Sequence, residues 1–321
     1  MGVFIIDNLL KIGSQENKNW LESQADKHQL TIGTFDISNA DAVNGFFEKY
    51  APFDGIAHLA GQVAMTTSMK NPRLDFLTNA VGTFNLLEAN RQYSPNSVFI
   101  YASTNKVYGE MKQINFKETE TRYIADDFPN GFDENLPLDF SSPYGCSKGA
   151  ADQYVRDWSR NYGLNTIVFR HSSIYGGRQF ATFDQGWIGW FCMQALKQKQ
   201  ALEKSVEIHP FTIAGNGKQV RDILHIEDVI NLYELTFTNS SMCRGEVFNI
   251  GGGIDNSLSL LELFKILSEN LNMHLNFQQT PWRHSDQKLF VCNLGKISKY
   301  IGWHPKINPL NGIRQYLSWL N

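Results

Sequence analysis

The chain is short of cysteine, of long apolar runs and of net charge, and each shortage excludes something. Its 321 residues hold four cysteines, Cys146, Cys192, Cys243 and Cys292. None stands in a Cys-x-x-Cys pair, which removes the common zinc-binding spacings and predicts no metal. Scattered single cysteines suit reduced thiols and predict a cytoplasmic protein. No run of about 18 apolar residues occurs, and no basic stretch leads into an apolar one, so neither a membrane span nor a signal peptide is expected. The formal net charge is −3. That excludes a nucleic acid gripped mainly through its phosphates. A small anionic ligand, which needs only a few placed cations, stays open. Repeats and low-complexity tracts are absent.

What is present is alternation. Short β-branched runs predict strands over 3–6, 29–35, 55–59, 97–102 and 165–170. Between them lie amphipathic stretches that predict helices over 39–49, 74–94 and 142–162, the first capped by Ser38 or Asn39. Strands alternating with helices at this spacing predict an α/β fold with a doubly wound parallel sheet. After Arg170 the pattern loosens, with a helix over 227–237, a strand over 246–250 and a helix over 258–271 opened by Ser257 or Ser259. This predicts a Rossmann-like domain over 1–171 with a return segment over 224–251. Residues 172–223 and 252–321 are predicted to form a smaller lobe.

Chemistry concentrates at Tyr144-Gly145-Cys146-Ser147-Lys148. Residues four apart share a helix face. The Lys148 ammonium is therefore expected beside the Tyr144 phenol, where a cation favours the phenolate. Such a phenolate can take a proton from a sugar hydroxyl as hydride leaves the same carbon. Tyr108 and Lys112 share the spacing, but Pro143 supplies Tyr144 with a helix-start signal that Tyr108 lacks. The second element, Ser103-Thr104-Asn105-Lys106, follows an apolar strand. Its hydroxyls are thus expected at a strand's carboxyl end, where open α/β sheets bind ligands. A plain Ser/Thr turn is the alternative.

Together, Thr104 to Gly109 and Tyr144 to Lys148 resemble the extended short-chain dehydrogenase/reductase family of sugar-nucleotide enzymes. The runs 169–180, 184–187 and 215–222 sharpen that resemblance toward its epimerases. It implies NAD as cofactor and a nucleotide sugar as substrate. Hydride would leave carbon 2, with Tyr144 as base, Lys148 beside it and Thr104 relaying the proton; a 2-keto sugar would turn over and hydride would return to its other face. A carbon-4 epimerase and a catalytically silent sugar-nucleotide-binding protein are the alternatives. The sister dehydratases carry Asp-Glu directly after the threonine, and the sister decarboxylases place Glu at the second of these positions. Asn105 and Lys106 stand there in this chain, which favours epimerisation.

Carried over residue by residue, the resemblance implies cofactor contacts at Asp7 for the ribose and at Asp36 and Ile37 for the adenine. Leu59, Ala60, Gly61 and Gln62 fall to the phosphates and ribose. Asn79, Ala102, Tyr144, Lys148 and His171 complete the cofactor set. Substrate contacts are implied at Thr104, Arg178, Gln179, Arg221 and Arg283, with Arg221 first for the diphosphate because a guanidinium fork matches phosphate. A homodimer or homotetramer through the helices over 74–94 and 142–162 is also implied. The family opens with a strand, a GxxGxxG turn and a helix, whereas residues 1–7 match its second strand. About 25 residues, the length of such a unit, are expected to be missing through truncation or a misplaced start. Weak NAD binding and unpaired sheet edges are expected with them.

Overall fold

The computed structural model describes residues 2–25, 29–283 and 286–321. The chain falls into two compact units. The first comprises the chain up to Thr104, with Ser142–Phe169 and Phe237–Val247. The second comprises Asn105–Ser141, Arg170–Thr236 and Phe248–Asn321.

The first unit opens with β1 (Val3–Asp7), α1 (Ser14–Gln24), β2 (Leu30–Thr34), α2 (Ala40–Tyr50) and β3 (Gly55–His58). It continues with α3 (Met65–Lys70), α4 (Pro72–Phe76), α5 (Gly82–Tyr93), β4 (Val98–Thr104) and α6 (Pro143–Tyr162). The strand Asn165–His171 then begins beside β4. β1 pairs in parallel with β2, from Val3 against Leu30 to Asp7 against Thr34. β3 pairs in parallel with β4, from Gly55 against Val98 to His58 against Tyr101. This is the expected Rossmann-type alternation. Its strands, however, belong to two separate sheets, and among the described residues no strand pairs with the free edge of β1 or of β3.

Burial follows from that. Strands of a parallel sheet are normally covered on both faces. Along β4, Phe99, Ile100, Tyr101, Ser103 and Thr104 are buried, whereas Val3 and Phe4 on β1 are 44 % and 37 % exposed. A shared core lies among the helices of the unit. Val43, Phe46 and Phe47 of α2, Leu86 and Leu87 of α5, and Ala151, Val155 and Trp158 of α6 pack with Ile37, Phe99, Tyr101 and Val168. The spacing of the α2 residues is the helical i, i+3, i+4 stripe that the sequence shows. Asn39 caps α2, its side chain accepting from the Ala42 N–H at 3.1 Å.

The segment over 74–94 departs from the single helix expected. It starts earlier, at Pro72, behind an Asn71 cap that accepts from the Leu74 N–H. It then widens into a π-helical turn over Leu77–Val81 before α5 begins.

In the second unit the strand Val220–His225 is central. It pairs antiparallel with Ser257–Ser259 and parallel with Leu289–Phe290 and with Ser173–Tyr175. Helices Trp187–Glu203, Leu260–Leu271 and Pro309–Leu320 bury Ile188, Phe191, Leu263, Phe264, Leu267 and Ile313 in a common core. The stretch after Arg170 is therefore more ordered than its composition implies. Helix Trp187–Glu203 carries aromatic and apolar residues around much of its girth, which blurs its periodicity. Ser259, not Ser257, caps Leu260–Leu271, in a reciprocal box with Glu262. Among the described residues no helix is long and apolar enough to cross a membrane.

Candidate active site

β4 and α6 bring the expected triad together in the first unit. Ser142 caps α6, its hydroxyl accepting from the Gly145 N–H at 3.0 Å, and Pro143 occupies the first turn. Tyr144 is thereby fixed on the first turn, 8 % exposed, with its phenol hydrogen-bonded to Thr104 at the end of β4. Burial pushes that phenol up to about 12, and the Thr104 bond draws it partly back. Lys148 lies one turn along the same face. Burial pulls its ammonium down to about 7, against the raising influence of Asp152 and Asp75.

The ammonium is held from β4. Its Nζ donates to the Ala102 carbonyl at 2.5 Å and sits 4.3 Å from the centre of the Tyr101 ring. The two groups share a face, as their spacing requires, but each is held by a different part of β4. Ala102 thus enters the site through its backbone, which no side-chain motif reveals. Beneath them His58 is buried with Nε2 2.8 Å from Thr83 Oγ1. Burial first, and the Lys148 charge second, keep it neutral, with its pKa at about 3.

A polar clamp closes over the turn after β3. The Gln62 N–H donates to Asn79 Oδ1 at 2.8 Å, and Asn79 Nδ2 returns a bond to the Gln62 carbonyl at 2.9 Å. Asn79 sits on the π-helical turn, a feature that recurs at functional sites. Gly61 is required there: a Cβ would come 2.9 Å from Asn79 Oδ1. Asp75 and Ser147, which sequence reasoning passed over, complete the clamp, with Ser147 Oγ donating to Asp75 Oδ2 at 2.5 Å.

The remaining cofactor candidates of this unit stand at strand ends. Asp7 closes β1 and accepts from the Leu9 N–H at 2.6 Å, a local turn. Asp36, after β2, accepts from the Ser38 N–H and from Asn8 Nδ2. Burial works to raise its carboxyl, but those hydrogen bonds hold it below the usual carboxylate range. Ile37 faces inward, filling the space a Cβ on Gly82 would take. Leu59 is exposed and Ala60 half-buried. Between β1 and α1 the chain has a single glycine, Gly13.

The second unit holds the other candidates. Arg221 NH2 lies 2.7 Å from Asp286 Oδ1, and Lys106 Nζ 3.4 Å from the same oxygen. Burial works to raise the Asp286 carboxyl, and the charges of Lys106, Arg221 and Arg283 together hold it below the usual range. Three cations around one carboxylate leave positive charge to spare, which suits a phosphate. The structure thus groups Arg221 and Arg283, adds Lys106 and Asp286, and sets Arg178 elsewhere. Arg178 lines a cavity of about 540 Å³ with His225, Glu227, Tyr316 and Trp319. Gln179 donates to the Ile174 carbonyl at 2.8 Å. His171 is buried, its Nε2 3.1 Å from the Tyr233 hydroxyl.

The family profile described as GDP-mannose 4,6 dehydratase matches residues 1–316. The chain is 53% identical over 322 aligned positions to a CDP-paratose 2-epimerase of Salmonella typhi, covering 99% of this chain and 91% of that one. It is 29% identical to a dTDP-glucose 4,6-dehydratase of Salmonella typhimurium, covering 98% of this chain and 84% of the relative. Its fold is similar to that of a UDP-glucuronic acid 4-epimerase from Bacillus cereus, solved with UDP-glucuronic acid and NAD. That likeness has a TM-score of 0.78 at 22% identity and covers 99% and 90% of the two chains.

Proposed function

The chain belongs to the GDP-mannose 4,6 dehydratase family, and from that membership we propose that it is an NAD-dependent nucleotide-sugar epimerase acting at carbon 2 of CDP-paratose to give CDP-tyvelose. The observation that carries this reading is the 53% identity to a CDP-paratose 2-epimerase along almost the whole chain, joined to the assembled Thr104, Tyr144 and Lys148. Asn105 and Lys106 support epimerisation over dehydration, since elimination of water calls for an acid and a base where these residues stand.

The residues present fit part of the cofactor. Gly61 lets the turn after β3 pass close to Asn79, the Asp36 carboxylate, held below the usual range, would accept from ribose or adenine groups, and Lys148 would donate to a cofactor hydroxyl from the end of β4. Nothing between β1 and α1 matches a glycine-rich pyrophosphate cradle. When bound, NAD supplies the hydride acceptor and a positively charged ring. Tyr144 takes the hydroxyl proton of the substrate as the carbon–hydrogen bond breaks. Thr104, hydrogen-bonded to that phenol, orients the reacting oxygen. Lys148 in its protonated form lowers the cost of the phenolate. After the keto sugar has turned, Tyr144 returns the proton to the same oxygen. Arg221, Arg283 and Lys106 are read as the diphosphate grip, with Asp286 holding them in place until the anion arrives.

Four scattered cysteines, none in a Cys-x-x-Cys pair, support a cytoplasmic location. Phe84 of α5 and Tyr154 of α6, 39 % and 45 % exposed and 5.7 Å apart, support a dimer formed through these two helices. The test of the activity is direct. CDP-paratose and UDP-glucose are supplied separately with NAD, and the products are resolved by NMR. Inversion at carbon 2 of the first is expected. Inversion of UDP-glucose at carbon 4 alone overturns the reading in favour of a 4-epimerase.

A further inference from the structure

A short hairpin in the second unit has no part in the steps above. Lys117–Glu118 pairs antiparallel with Tyr123–Ile124, Lys117 against Ile124 and Glu118 against Tyr123. So small a hairpin is marginal by itself in water, and its order depends on what it is fastened to. On one side Arg122 Nε donates to Glu262 Oε1 at 2.7 Å and Arg122 Nη2 to the Ser257 carbonyl at 2.9 Å, which ties it to the start of helix Leu260–Leu271. On the other side Lys218 Nζ donates to Glu118 Oε1 and to the Thr119 carbonyl, both at 2.9 Å.

Two chain segments run side by side next to it. Phe211–Ala214 pairs in parallel with Phe277–Thr280, and Val220–Arg221 pairs in parallel with Leu289–Phe290. Between these two pairings the second segment is the longer, so it has to bulge. The first segment brings Arg221 and the second brings Asp286, whose Oδ1 lies 2.7 Å from the guanidinium. The segments also meet where Trp282 lies on Gly215. That glycine has φ 75°, and a Cβ there would come 2.6 Å from the indole.

Tyr123, 6 % exposed, reaches both segments. Its backbone N–H donates to the Lys218 carbonyl at 3.0 Å, and its hydroxyl accepts from Asn216 Nδ2 at 3.0 Å, both shortly before Arg221 in the chain. The hydroxyl donates in turn to Glu118 Oε2 at 3.1 Å. Its ring centre lies 6.3 Å from that of Trp282, and the Lys288 ammonium stands 5.5 Å over the ring. Both are within the range of favourable aromatic and cation–π contacts. The second segment is thus touched on both sides of Asp286, and one side chain spans the Arg221–Asp286 pair.

We propose that Tyr123 is a positioning residue of the diphosphate grip. It fastens the hairpin across the two segments that carry Arg221 and Asp286, so that a nucleoside diphosphate held there and the docked hairpin stabilise each other. The proposal rests on the reading of Arg221 as a phosphate contact. Such coupling is reciprocal: whatever loosens the hairpin weakens the ligand, and the ligand tightens the hairpin. A hairpin that served the fold alone would change melting and leave affinity as it was.

The test uses the full chain, with CDP as the probe. Isothermal titration reads the affinity, and hydrogen exchange followed by mass spectrometry reads the hairpin amides with and without CDP. CDP is expected to slow exchange over 117–124. Tyr123→Leu removes the ring contacts and both hydroxyl bonds, and is expected to weaken CDP by about 10-fold, within the usual range of coupling between two sites. Tyr123→Phe keeps the ring and is expected to weaken it by about 2–5-fold, the effect of a lost neutral hydrogen bond. Unchanged CDP affinity in folded Tyr123→Leu overturns the proposal, as does an unprotected hairpin in a parent chain that binds CDP. If circular dichroism shows Tyr123→Leu unfolded, unchanged affinity in Tyr123→Phe does so instead. Arg221→Ala tests the underlying reading separately. A variant that binds CDP as tightly as the parent removes the phosphate contact whatever Tyr123 does, and a parent that binds no CDP removes both.

Discussion

Tyr144 and Lys148 are displaced in opposite senses by one cause. Burial disfavours whichever form is charged, so the phenol stands at about 12 and the ammonium at about 7. Catalysis needs both charged forms at once. The phenol has to be brought down by positive charge nearby, and Lys148 contributes to that only while protonated. Its pKa lies below that of the phenol, so between pH about 7 and 12 the loss of the Lys148 proton and the gain of the phenolate offset one another, while below pH about 7 only the phenolate changes. The expected result is a kcat/KM that rises about tenfold per pH unit up to about 7 and is level from there to pH 10. A rate profile from pH 5 to 10 checks this, and a steep rise continuing from pH 8 to 10 contradicts it. Tyr144→Phe removes the base and is expected to cut kcat by about 10²–10⁴ with the fold retained.

The triad was legible because its members lie in two short motifs. Asp75 and Asp286 were not. Ser147 and Asp75 are 72 positions apart, and Lys106 and Asp286 are 180 apart. A single sequence offers no signal for a pairing that only tertiary folding creates.

Helix ends carry the argument at the next scale. Asn39 and Ser259 were visible as cap candidates and each caps its helix; Ser142, which the sequence reading did not name as a cap, does so too. At Ser142 the cap has a second consequence, because the turn it fixes is the one that bears Tyr144. Ser142→Ala is expected to cost about 1 kcal/mol of stability, roughly 2–4 °C in Tm. It should also lower kcat by more than it changes KM, since the turn it fixes bears the base. Thermal melts and steady-state kinetics read the two effects, and a fall in Tm without loss of kcat would separate the cap from the chemistry. The π-helical turn at Leu77–Val81 escaped sequence reading for a different reason. The turn of Leu77–Val81 is defined by backbone hydrogen bonds one residue longer than those of an α-helix, and residue spacing at this resolution reads as one continuous amphipathic stretch.

For the molecule as a whole the decisive fact is the division of the parallel strands of the first unit between two sheets. The core does not register it, because α2, α5 and α6 cover both sheets with one set of apolar side chains. The sheet edges do, in the exposed Val3 and Phe4 of β1 and in the exposed Gly55 of β3, against which the Phe237 ring packs.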